Sequence, residues 1–112
     1  QPSELVYATW GLPLDAVIEA PFSFSSPSLL KIDVDGLDDL VLMGGRKLLR
    51  SKSLESVLIE VDEGDSLKAE RMAEILTNAG LTFVEKRRST MFDGGPFEKT
   101  YNQIWDRKAQ VP

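Results

Sequence analysis

The chain builds one small device twice. Leu29-Leu30-Lys31-Ile32-Asp33-Val34-Asp35-Gly36 is an aliphatic, β-prone run that ends in two carboxylates and a glycine, directly ahead of a helix-period pattern. Leu58-Ile59-Glu60-Val61-Asp62-Glu63-Gly64 repeats it: aliphatic strand, acidic end, glycine, then a second helical pattern. Strands that alternate with helices imply βαβ units and a parallel sheet. In such sheets ligands bind just beyond the carboxyl ends of the strands. Two successive strands that both finish in acids therefore predict one acidic rim, and function is to be sought there.

The whole order reads β-α-β-α-β-β within a single domain over 1–112. Residues 1–28 form an irregular lead-in with a short helix over 14–20, bounded by Pro13 and Pro21, and a Ser/Pro loop around Phe22 and Phe24. The first strand is predicted over 29–34. Leu37, Leu40, Val41, Gly44 and Leu48 then fall on one helical stripe, so one continuous helix is expected. Gly44-Gly45 inside it suggests close packing on the sheet, because each glycine costs about 1 kcal/mol in a helix. The second strand spans 56–61. Ser66 is the expected N-cap of the next helix, whose buried stripe is Met72, Ile75, Leu76 and Ala79, with Gly80 as its stop. Strands over 82–87 and 100–107 close an antiparallel hairpin around the 91–99 loop.

Composition removes several function classes. A net charge of -5 and short basic clusters flanked by acids argue against a nucleic-acid surface. With no cysteine and no histidine, disulfides, thiolate chemistry, Cys/His zinc sites and histidine-based triads are excluded. Cysteine absence fits the cytoplasm, no apolar run reaches membrane-span length, and no signal-peptide pattern opens the chain. A start at Gln1 suggests a piece of something longer.

Along the first strand Leu30, Ile32 and Val34 share one face, with Leu29, Lys31, Asp33 and Asp35 on the other. Val57, Ile59 and Val61 lie opposite Leu58, Glu60 and Asp62. If the two strands are parallel neighbours, Asp33 comes near Glu60, with Lys31 deeper in the sheet. The same alternation also describes a half-solvated sheet face that binds nothing, and periodicity alone leaves both readings open. Asp33-Val34-Asp35-Gly36 is not an EF-hand loop, since its first and twelfth ligands would be Lys31 and Leu42. Oxygen ligation of a divalent metal by Asp33, Asp35 and Glu60 stays open. The aromatics Phe22, Phe24, Phe92, Phe97, Tyr101 and Trp105 read as core and loop packing, with a substrate wall as the second option.

Leu30-Lys31-Ile32-Asp33-Val34-Asp35-Gly36, then Asp38, then Val41-Leu42-Met43-Gly44-Gly45, resembles the FkbM family of S-adenosylmethionine-dependent methyltransferases. The family pattern runs close to K-I-D-V-E/D-G-x-E-x-x-V-L-x-G-A. Leu14-Asp15 is similar to its L-D segment, Leu58-Ile59-Glu60-Val61 to its L-I-E strand, and Tyr101-Asn102-Gln103-Ile104-Trp105 to its late strand. Asp38 stands where the family carries glutamate and Gly45 where it carries alanine. No glycine here shows the G-x-G spacing after a strand at which such enzymes bind the methionine end of the cofactor.

The resemblance therefore implies the C-terminal half of a Rossmann-like, class I methyltransferase-like α/β sheet, with parallel strands, crossover helices and a C-terminal antiparallel hairpin. It implies O-methyl transfer to a small-molecule hydroxyl acceptor. Asp33, Asp35 and Glu60 would serve catalysis, Asp33 and Asp35 would face S-adenosylmethionine, and Asp38 and Asn102 would bind substrate. By itself the chain is expected neither to bind the cofactor tightly nor to turn over. An exposed strand edge would favour self-association. The alternatives are a non-catalytic interaction module and a magnesium-dependent phosphoryl-transfer domain that uses the acidic rim.

Overall fold

The computed structural model describes residues 5–19, 25–88 and 90–108; Phe22 and Phe24 lie outside them. The elements run α1 (Leu14–Ile18), β1 (Leu29–Ile32), α2 (Asp38–Met43), α3 (Arg46–Arg50), β2 (Ser56–Asp62), α4 (Ser66–Asn78), β3 (Leu81–Arg87) and β4 (Thr100–Arg107), with a 3-10 turn at Thr90–Phe92. The strands form one mixed sheet in the order β1-β2-β4-β3. β1 and β2 pair in parallel, with Ile32 opposite Ile59. β4 runs antiparallel to both of its neighbours, β2 and β3. The molecule is thus an α/β protein with one parallel strand pair.

Period-two alternation explains which side is covered. Val57, Ile59 and Val61 of β2 are buried, while Leu58 and Glu60 between them are half-buried. Trp105, opposite Val57, joins the same face and meets Phe83 edge to face at 5.6 Å. Helices α2 to α4 close over this face with Leu42, Leu49, Met72 and Leu76. Trp105 keeps its indole N–H satisfied by donating to Gln103 Oε1 at 2.9 Å.

Several expectations change. β1 ends at Ile32, not Val34, because the chain leaves the sheet in a tight turn: Leu37 N donates to Val34 O at 3.3 Å. Asp35 (φ 44°) and Gly36 (φ 91°) at its centre have the two positive φ angles of a type I′ turn, for which Asp-Gly is a preferred pair. The expected continuous helix is two short ones, α2 and α3, parted at Gly44-Gly45. The close approach is made by the lead-in, not by the sheet. A Cβ on Gly45 would sit 2.9 Å from Leu14 Cδ1, and one on Gly44 would sit 3.2 Å from Pro13 Cβ. Asp65, not Ser66, caps α4, accepting from Lys68 N at 3.2 Å. The expected antiparallel pair of β3 and β4 is present, with β4 lying between β2 and β3 in the sheet.

The lead-in has a specific task. Asp15 on α1 accepts from the backbone N–H groups of Lys47 (3.0 Å) and Leu48 (2.9 Å), and so caps α3 from a distance. Among the described residues no helix is long and apolar enough to cross a membrane.

Candidate functional site: an acidic rim over two joined clefts

The carboxyl ends of β1 and β2 and the start of β4 meet at one end of the sheet. Parallel register carries Asp33 alongside Glu60, and antiparallel register sets Asn102 directly opposite Glu60. Asp33 lies close enough to Glu60 for its carboxyl group to raise the Glu60 pKa. Two carboxyl groups in contact cannot both be comfortably ionised. Glu60 accordingly titrates above the usual carboxylate range. Its partial burial contributes most, followed by the neighbouring Asp33 carboxyl group and then the charges of Asp38 and Asp35.

The turn that presents Asp35 is braced from two sides. Asp38 is buried at the start of α2 and accepts from Val34 N at 3.2 Å. Burial raises its pKa, against the opposing pull of that hydrogen bond and of Lys68. Lys68 on α4 donates to the carbonyl of Gly36 and lies 3.7 Å from Asp39. Asp39, also buried, is held on its other oxygen by Arg71 at 3.3 Å. The turn is thereby tied to both flanking helices, which favours a fixed position for Asp35.

Two adjoining clefts, of about 290 and about 390 Å³, open on this rim and share Asp35, Glu60, Phe97 and Thr100. The first adds Arg88, Tyr101 and Asn102. The second adds Asp38, Asp62 and Lys68. Four of the five residues expected from the sequence (Asp35, Asp38, Glu60 and Asn102) therefore line the clefts, and Asp33 joins them through Glu60. Asp38 spends one oxygen on the turn, so it serves the rim's geometry as well as lining it. Lys31 is exposed on the strand at the sheet's border, not deep in the sheet as expected, because nothing among the described residues covers that side.

Sequence reasoning passed over Lys68, Arg88 and Thr100 as site residues and read Phe97 as loop packing, with a substrate wall as the second option. Arg88 follows β3, two strands away from Glu60 in sheet order, and its guanidinium stacks 5.8 Å above the Tyr101 ring while donating to Asp93. Its Nε is buried without a hydrogen-bond partner. Pairing of β3 with β4 sets Arg88 over Tyr101 at the cleft, and no local pattern announces that pairing. The acids are spread along the rim. Among the described residues no group of three or more ligating side chains converges closely enough to hold a metal ion.

Compared with protein-family models, with curated proteins and with solved structures, the chain finds no match in any of the three.

Proposed function

We propose that this chain is the C-terminal half of a Rossmann-like methyltransferase domain of the FkbM type, which methylates a hydroxyl oxygen in a cytoplasmic setting. The observation that carries the reading is the rim itself. Two parallel strands joined by a helical crossover end in Asp33, Asp35 and Glu60, with Asn102 opposite Glu60, over a cleft of small-molecule scale.

The rim's own residues define what it can do. Glu60, beside Asp33 and with its pKa raised from the ordinary value, would take a proton from an acceptor hydroxyl. Asn102 offers both a donor and an acceptor to orient that hydroxyl. Methyl transfer is a displacement at carbon, so positioning of the acceptor supplies most of what a protein must provide. S-adenosylmethionine would bring the electrophilic methyl group. The described residues supply acids for the acceptor side, but their two glycine turns between strand and helix, Asp35-Gly36 and Glu63-Gly64, carry carboxylates and lack the G-x-G spacing. They do not fit the methionine end of the cofactor.

The test uses the full-length protein encoded by the reading frame that carries this sequence. Incubated with methyl-labelled S-adenosylmethionine and a panel of small hydroxyl compounds, it is expected to label at least one, and Glu60→Gln is expected to slow that transfer. Absence of labelling across the panel overturns the reading. The 112-residue chain by itself is expected to show no micromolar S-adenosylmethionine binding by calorimetry.

One observation favours a second reading, an interaction module. The outer edge of β1 has no strand beside it among the described residues, and an apolar groove of about 520 Å³ lies along it.

A further inference from the structure

Three features that the rim does not use fit one another. The first is the outer edge of β1, where Leu29–Ile32 carry backbone groups with no partner strand among the described residues. The second is the groove beside that edge, floored by Leu30 and Ile32 and walled by Leu37, Leu40 and Val41 of the turn and α2. The third lies at the other end of the described chain. Leu5-Val6-Tyr7-Ala8-Thr9-Trp10 is an uncharged run, free of proline and glycine, with the β-branched and aromatic content of a strand. It has no secondary structure, and Leu5, Val6, Tyr7 and Trp10 are each more than three-quarters exposed, Trp10 at 94%.

An open strand edge and an exposed apolar segment are each a liability in water. Each relieves the other. A strand added to β1 would satisfy its free backbone groups, and every second side chain of that strand would enter the groove. Val6, Ala8 and Trp10 share one face of an extended segment, and Leu5, Tyr7 and Thr9 share the other. The arm leads through Leu12 and Pro13 into α1. Leu12, Pro13 and Leu14 form the far wall of the groove, so the arm departs from the surface it complements.

We propose that residues 5–10 of one copy of this chain dock as an added strand on the β1 edge of a second copy, reciprocally, to form an arm-exchanged dimer. Reciprocal exchange closes the assembly, because each copy gives one arm and fills one edge. The inference concerns the 112-residue chain, in which no further strand lies on the β1 edge among the described residues. Edge, groove and arm are present whatever the rim binds.

Size-exclusion chromatography with light scattering, over a range of concentrations, tests it on the unaltered chain. The expected mass is twice the 12.5 kDa of one chain at high concentration, falling towards one on dilution. A Val6→Asp, Tyr7→Asp double variant, altered only at exposed positions, is expected to remain monomeric. In a Trp105→Phe variant Trp10 is the sole tryptophan, and its emission is expected to move to shorter wavelength as the dimer forms. A monomer at every concentration overturns the proposal. So does a dimer that survives the double variant, or one in which Trp10 still emits as a solvent-exposed indole.

Discussion

Arg107, the last residue of β4, carries its charge into a junction of three backbone segments without meeting a carboxylate among the described residues. Its guanidinium donates to the carbonyls of Leu54 and Ala79 at 2.9 Å each, and also to that of Leu49. Leu49 and Ala79 stand at the C-terminal ends of α3 and α4, where carbonyls lack helical partners and a cation is favoured. Arg107→Ala strands all three acceptors, so a loss of about 2–4 kcal/mol is expected in urea unfolding, with Arg107→Lys recovering part. Asp15 does the equivalent service at an N-terminus. Asp15→Ala is expected to cost about 1 kcal/mol in the same measurement, by uncapping α3. The Leu14-Asp15 pair thus has a structural reading in this chain: Leu14 fills the space at Gly45, and Asp15 ties the lead-in to α3.

At the scale of elements, what stops a segment matters as much as what forms it. α4 ends where Ala79 N donates to Ile75 O and Gly80 adopts φ 91°. A Cβ there would also meet Arg107 Nη1 at 2.9 Å. Gly80→Ala is therefore expected to destabilise by about 1–2 kcal/mol, through left-handed strain and displacement of the arginine. Its midpoint in thermal unfolding should fall accordingly. β1 and α2 are separated by a type I′-like Asp-Gly turn, which explains why the strand is shorter than its apolar run. The break at Gly44-Gly45 has the opposite origin. The stripe from Leu37 to Leu48 is helical throughout, yet the lead-in presses against the two glycines and divides it. A neighbour from another part of the chain overrides local periodicity there.

Across the whole molecule, the rim makes stability depend on pH. Glu60 has a folded-state pKa above its unfolded value of about 4.5. Its contribution is therefore fully favourable below that unfolded value and is lost as pH rises through the folded one. Asp38 follows the same sign. Glu60→Gln keeps the shape and removes the charge, so it is expected to be more stable than the parent chain at pH 7. The gap should close as pH falls towards 4 when unfolding is compared in urea. A variant less stable at pH 7 would show that the folded rim does not disfavour the Glu60 charge.

Much of this architecture was legible from one dimension. Strand alternation fixes faces, and parallel pairing of two acid-tipped strands sets Asp33 beside Glu60, because both rules act over a few residues. Burial of Val57, Ile59 and Val61 follows from the same period. The rest required the folded chain. Which strand lies beside β2 is decided by pairing both edges of β4 and burying Trp105, energies shared among segments distant in sequence. Pairing of β3 with β4 sets Arg88 over Tyr101 at the cleft, and the first long helix parts at Gly44-Gly45, where the lead-in packs. Local pattern determined the elements and their chemistry. Long-range burial and backbone pairing decided their neighbours, since no residue carries in itself the identity of the strand that will satisfy it.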